Sequence, residues 1–388
     1  MSDLEPLVAE PGVEEEERKT SYLELFFDLV FVFAFTQVTA LILEDTSLRG
    51  FLRAALVLAM VWWAWSAYAW MTNAIDVENP VTRLIMFAAM AAGFFMALAV
   101  PHAFADEAAW FAVAYFVVRL LNSALYSWGV RDDPGALRAT LRLAPWFLVA
   151  AGVALIGGFV DPDYRAWVWL ASLAIDVVGT LTVARAEWRV SPSHFAERFA
   201  LIVIIALGES IVAIGVATGG LSRDATYAVS VVVAFAGVAA LWWAYFDFTA
   251  VAAERSLRRA SGPARTALAR DIFTYLHYPL VLGIILYAVA AKKTLEHPLD
   301  PLSKPGRWSL GLGIALYLCG FALMRFRVVH RIAWERLAGA ALALVVAVLL
   351  EGADAIVTLG LVIAILAVSV ALETARLRSL RAELRAAR

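Results

Sequence analysis

The chain has 388 residues, of which 62% are hydrophobic and 17% charged, and a formal net charge of −2. Soluble chains run nearer to about 45–50% apolar and about 25% charged, so a water-soluble globule is excluded: too little polar surface is available to cover it. The lack of a basic excess argues against a nucleic-acid partner, and a single cysteine, Cys319, excludes an internal disulfide framework and a cysteine-based zinc site.

Residues 1–20 hold seven acids (Asp3, Glu5, Glu10 and Glu14 to Glu17) and no apolar run. They are expected to form a disordered acidic tail, since a signal peptide needs a basic start and an apolar core. Twelve apolar segments follow, at about 22–43, 51–72, 81–101, 107–129, 138–159, 164–185, 195–217, 225–248, 268–291, 307–326, 333–350 and 354–373. Each is long enough to cross a hydrocarbon core of about 30 Å at about 1.5 Å per residue. Lipid satisfies no backbone group, so all are expected as helices. The narrowest division is Glu351-Gly352-Ala353-Asp354, between the last two segments.

Lysine and arginine set the expected orientation. With the N-terminus in the cytoplasm, 23 basic residues fall on the cytoplasmic side and 8 on the other, and Arg119 lies inside a segment. Both termini are therefore expected in the cytoplasm. The basic tail 374–388 suits an amphipathic helix on the anionic leaflet or a solvated extension of the last segment. Arginine outnumbers lysine 28 to 4 and alanine is abundant, which points to a GC-rich bacterial genome.

The halves of the chain look like copies. Trp62-Trp63-Ala64 recurs as Trp242-Trp243-Ala244, Glu24-x-Phe26 as Glu197-x-Phe199, and Arg142-Leu143-Ala144 as Arg336-Leu337-Ala338. Six segments per copy is an even number, so the copies are expected to point the same way, as two parallel six-helix repeats over 21–190 and 191–373.

A charge near the bilayer centre costs about 2.5–3.5 kcal/mol on insertion scales, so each needs a partner or a task. Arg119, Asp176 and Glu209 each lie about twelve residues into a segment, roughly 18 Å deep. Two carboxylates at the level of one arginine leave one that can be neutral and carry a proton. The plainer alternative is a structural Arg–Asp pair and a hydrogen-bonded Glu. A second layer lies nearer the cytoplasm. Glu24 and Asp28 share a helix face with Phe31 and Phe35, Arg83 is at their level, and the second copy would be Glu197 with Arg270. Ser21-x-x-Glu24 is also a capping box, which accounts for Glu24 without any further role; Asp28, a turn deeper, has no such explanation.

Other polar residues point to less. His277 beside Pro279 reads as a packed histidine, and the five histidines lack metal-ligand spacing. The tryptophans of segment 2 read as packing and interfacial anchors. Gly208, Gly215, Gly219 and Gly220 suit close helix approach. No P-loop, Gly-x-Ser-x-Gly or dinucleotide fingerprint is present, so neither an enzyme nor a cofactor is expected.

The run from Tyr22-Leu23-Glu24-Leu25-Phe26-Phe27-Asp28 to Val32 resembles the opening helix of the bacterial low temperature requirement A family. So do Ala184 to Arg189, His194-Phe195-Ala196-Glu197-Arg198-Phe199, Ala206-Leu207-Gly208-Glu209-Ser210 and Ala97 to Phe104. The resemblance covers roughly residues 20–375. It implies an integral membrane protein named for growth at low temperature, with acidic signature positions at Glu24, Asp28, Glu197 and Glu209, and it implies no reaction. Phe26-Phe27-Asp28 is also similar to the Phe-Ser-Asp element of the two-repeat potassium channels of lysosomes and bacteria. Phe27 here replaces the serine, and Leu201 stands where a second copy of Asp28 would align.

Three readings follow. The first is a proton- or cation-coupled transporter or channel-like protein working through intramembrane carboxylates. The second is a non-transporting protein that senses or adapts to bilayer state in the cold. The third, an intramembrane enzyme, lacks a nucleophile, a metal site and a pocket in the sequence. Expected partners are the lipid bilayer, a small solute or ion, and a second copy of the chain.

Overall fold

The computed structural model describes residues 19–182, 188, 190–219 and 223–377. Most of the acidic tail (1–18), Ala184–Glu187 and Arg189 of the family-like run, Gly220 and the basic tail from residue 378 lie outside the described residues. The described residues are all-helical, without a strand. Their order is α1 (Tyr22–Glu44), α2 (Leu48–Ala74), α3 (Pro80–Leu98), α4 (Ala108–Gly129), α5 (Pro134–Gly157), α6 (Pro162–Thr182) and α7 (Pro192–Ala217). There follow α8 (Ala225–Phe246), α9 (Thr249–Arg259), α10 (Gly262–Leu268), a π-helical stretch Ala269–Tyr275, α11 (His277–Glu296), α12 (Lys304–Val329), α13 (Trp334–Leu349) and α14 (Ala355–Arg376).

Local chemistry explains where these helices start. Ser21 and Glu24 form the expected capping box on α1. Ser47, Asn79, Asp133, Asp224 and Ser303 accept backbone N–H bonds at the heads of α2, α3, α5, α8 and α12, and Pro follows at once in α3 and α5. These are the preferred N-cap residues, and proline at the first turn loses no helical bond. The short break at Glu351–Asp354 is a real turn. Arg307 Nη1 donates to Glu351 O (3.2 Å) and Nε to Ala347 O (3.1 Å), and Pro301 bridges Asp354.

Ten helical stretches among the described residues are long and apolar enough to cross a membrane. The count expected from sequence was twelve. The described part of each of the twelve segments is mainly helical, but α6 is diluted by Asp163, Arg165 and Asp176, and α13 has only 16 residues.

The described residues form two compact units. One runs up to Arg198 and includes Ala260–Arg270; the other holds Phe199–Arg259 and the chain from Asp271. In the first, α1 packs on α2 and α3, and the packing continues α3 on α4, α4 on α5 and α5 on α6, while α2 also meets α4 and α6. Helix α2 is apolar on all sides, as buried helices are. Trp62 and Trp65 are buried with ring centroids 5.0 Å apart, which makes them packing residues. The tandem pair differs between the halves: Trp62 and Trp63 are buried, whereas Trp242 and Trp243 are 46% and 53% exposed.

In the second unit α11, α12, α13 and α14 pack in succession, and α8 meets α11 and α14. Two glycines set the α11–α12 approach. A Cβ on Gly283 would lie 2.6 Å from Gly313 O, and one on Gly313 would lie 2.9 Å from Gly283 O. Backbone cannot retreat as a side chain can, so Gly283→Val should lower the unfolding midpoint, a loss of about 1–3 kcal/mol from overpacking. The close approaches expected at Gly208, Gly215 and Gly219 are not found: a Cβ there meets at most its own turn, and Gly220 lies outside the described residues.

Candidate functional site

In the first unit, α1 carries Glu24 and Asp28 one turn apart, and the start of α7 carries His194 and Arg198 at the same i, i+4 spacing. That spacing puts each pair on one helix face, and all four side chains are fully buried. Arg198 Nη2 donates to Asp28 Oδ1 at 2.8 Å, and Nη1 lies 3.1 Å from Glu24 Oε1. Trp65 Nε1, from α2, donates to the same Asp28 Oδ1 at 2.8 Å. Asp28 Oδ2 is buried and accepts no hydrogen bond among the described residues.

A chain of hydrogen bonds sets the histidine. The Ser191 backbone N–H donates to Asn73 Oδ1 (2.8 Å), which orients the amide so that Asn73 Nδ2 points to His194 Nδ1 (2.9 Å). An amide nitrogen only donates, so Nδ1 accepts and the ring proton is on Nε2. That N–H faces Glu24 Oε2 at 3.1 Å. A second ring proton, on Nδ1, would meet the amide N–H of Asn73. The cluster then counts two carboxylates against one guanidinium. With the histidine ring carrying only its Nε2 proton, that is one proton short of neutrality in a fully buried place, where net charge is costly. Asp28 Oδ2, with no donor of its own, is the atom open to that proton.

Arg119 and Asp176 meet as expected. Arg119 donates to both Asp176 oxygens (2.8 and 2.7 Å) and to Tyr115 Oη (2.9 Å), and its guanidinium lies 4.7 Å from the Phe147 ring centre. Both charges are fully buried. This is a neutral bidentate clamp between α4 and α6. Glu209 is buried (2% exposed) on α7, in the second unit. The arrangement of two acids and one arginine, anticipated for Arg119, Asp176 and Glu209, occurs at Glu24, Asp28 and Arg198.

The rest of the anticipated cytoplasmic layer is placed differently. Arg83 pairs with the exposed Glu78 of its own loop rather than with Glu24 or Asp28, because its side chain leaves the first turn of α3 toward solvent. Glu197 accepts from Thr20 N (2.9 Å) and Oγ1 (2.8 Å), not from Arg270. It is one residue off the buried face of α7 that presents Arg198. Glu24 both caps its helix and meets the buried Arg198 guanidinium.

Sequence reasoning missed Arg198, His194, Asn73 and Trp65. Arg198 lies near the start of the seventh apolar segment, where a cation reads as an end charge, yet it stands in the second turn of α7. The available signal was spacing: His194-x-x-x-Arg198 repeats the interval of Glu24-x-x-x-Asp28 with complementary polarity.

In the second unit His277 is a packed residue, as expected. Its Nδ1 donates to Ile272 O (2.9 Å), a carbonyl of the π-helical stretch, and its Nε2 accepts from Tyr245 Oη (2.8 Å). Among the described residues no group of three His, Cys, Asp or Glu is placed to hold a metal.

The family model for the bacterial low temperature requirement A protein matches residues 19–371. An uncharacterized protein of Rhizobium meliloti (strain 1021) is 35% identical over 295 residues, covering 73% of this chain and 71% of its own length. No solved structure matches the chain.

Proposed function

The chain belongs to the bacterial low temperature requirement A (LtrA) family, and from that premise we propose that it is a proton-coupled transporter or channel-like protein of the bacterial cytoplasmic membrane. The observation that carries the reading is the buried cluster of Glu24, Asp28, His194 and Arg198, in which Glu24 Oε1 and Asp28 Oδ2 accept no hydrogen bond among the described residues and, of the two, Glu24 Oε1 lies 3.1 Å from Arg198 Nη1. Intramembrane carboxylates of this kind mark proton relays. Protonating Asp28 makes the cluster neutral; releasing the proton leaves one excess negative charge and a strained ion pair. A site that alternates between these states can couple a proton to movement of a small solute or ion. Its own residues hold the site in place: Trp65 and Arg198 keep Asp28 Oδ1 fixed, while the Asn73 amide occupies His194 Nδ1.

Twelve crossings, with α6 and α13 included, belong to this reading. A buried charge on α6 (Asp176) and another on α13 (Arg336) are each met by a neighbouring helix, so both helices can lie in lipid with their charges inward. The successive packing of α3 to α6 has a parallel in that of α11 to α14, and α2 on α6 has one in α8 on α14, which supports two parallel six-helix repeats over 21–190 and 191–373. The bias of lysine and arginine supports cytoplasmic termini.

The test uses the full chain in vesicles loaded with a pH-sensitive dye, with an imposed potassium diffusion potential. Asp28→Asn keeps the acceptor for Trp65 and Arg198 but holds no exchangeable charge. Potential-driven proton uptake is expected in the parent protein, and Asp28→Asn should reduce it to the level of empty vesicles. Uptake unchanged in the variant overturns the proposal. A lowered unfolding midpoint with no proton movement in either protein points instead to the non-transporting, bilayer-sensing reading.

A further inference from the structure

The second unit forms a half-open cavity of about 60 Å³ where α12 and α14 end and α13 begins. Its wall is chiefly apolar, with Ile272, Met324 and Val328, and its polar end is formed by Arg325, Arg336 and Glu373. Arg336 is 2% exposed and binds Glu373 through Nη2 (2.5 Å) and Nε (3.1 Å), with its guanidinium 4.1 Å from the Phe321 ring centre. Arg325 Nη1 lies 3.9 Å from Glu373 Oε1, too far for a hydrogen bond. The Nη1 atoms of both arginines are buried and have no hydrogen-bond partner among the described residues.

Among the described residues three guanidiniums, those of Arg325, Arg336 and the half-exposed Arg376, face two carboxylates, Glu373 and Glu335, and Arg376 pairs with Glu335, which leaves one excess positive charge and unused donors beside the apolar cavity. Buried charge left uncompensated is costly, so this end of the cavity is suited to an anion. A small hydrated anion gains nothing from the apolar wall, whereas an amphiphile fills both parts. The cavity lies at helix ends, the level at which lipid headgroups meet a membrane protein. Basic pockets between helices on the cytoplasmic side are built to take anionic headgroups. We propose that this cavity binds the phosphate of an anionic phospholipid headgroup, with Arg325 and Arg336 as donors and the apolar wall against the start of the acyl chains.

The experiment titrates a fluorescent short-chain phosphatidylglycerol into the detergent-solubilised full chain. A phosphatidylcholine analogue and inorganic phosphate as competitor form the other arms. Arg325→Gln leaves the Arg336–Glu373 pair intact. It should weaken phosphatidylglycerol binding on the order of tenfold, the effect of one charged hydrogen bond, with the lipid-free unfolding midpoint unchanged. Arg336→Gln alone would strand Glu373, so the neutral pair Arg336→Gln with Glu373→Gln serves as the second variant and should lose binding similarly. Phosphatidylcholine should bind at least about tenfold more weakly, since the selectivity rests on the same charge, and inorganic phosphate should not displace the lipid. Equal binding by Arg325→Gln and the parent, equal binding of the two lipids, or displacement by inorganic phosphate alone overturns the proposal. The last result would assign the cavity to a soluble anion.

Discussion

Arg198→Met lowers the stability of the folded chain by about 3–5 kcal/mol, the cost of removing one partner from a buried ion pair. The methionine fills much of the same volume, so the loss is electrostatic: Glu24 and Asp28 remain buried with only the His194 Nε2 and a tryptophan N–H to meet them. The sign of the effect depends on which charge is removed. Asp28→Asn takes the cluster from one excess negative charge to none and leaves Oδ1 to its two donors, so its cost should stay within about 1 kcal/mol of the parent. Combining Arg198→Met with Asp28→Asn should recover part of the loss, because only Glu24 is then unmatched. Chemical unfolding in detergent micelles reads all three. A small effect of Arg198→Met, or equal effects of Arg198→Met and Asp28→Asn, contradicts a charge cluster of this composition.

Arg119→Leu should be similarly severe, about 3–5 kcal/mol, because both Asp176 oxygens lose their guanidinium donors in a fully buried place. Here the pair is balanced, so the two variants behave alike: Asp176→Leu is also expected to be strongly destabilising, leaving Arg119 charged with only Tyr115 Oη to receive it. Replacing both with leucine removes the desolvation cost along with the attraction. Such replacements of buried pairs by apolar residues are often neutral or stabilising. The double variant should therefore be far more stable than the sum of the single losses, a coupling that a double-mutant cycle measures directly. Additive losses would mean that the two residues do not form one unit. The contrast with the Arg198 cluster separates a structural clamp, indifferent to paired removal, from a site with a charge in excess.

The helices were legible in the sequence because hydropathy and capping act locally. The described part of every apolar segment proved mainly helical, and Ser21, Asp133 and Ser303 head helices with the side chains that residues of their kind bring to any helix start. Depth was legible too, since rise per residue converts a position into a level, and Arg119 and Asp176 do meet at one. Azimuth was not. Arg83 and Arg198 both stand near Glu24 in level, yet Arg83 turns to Glu78 while Arg198 reaches Glu24 and Asp28. Which face of a helix meets which neighbour depends on packing between segments distant in the chain.

The sequence by itself determined that this is a helical membrane protein of a recognisable family, with few charges inside its segments. Those properties are sums over local preferences and transfer free energies, which need no partner. Only the tertiary structure decided which charges are balanced. Charge balance is a property of side chains from separate helices brought within about 3 Å of each other, and no single segment contains it. Arg119 and Asp176 cancel, Arg198 faces one carboxylate too many, and Arg325 and Arg336 share one too few.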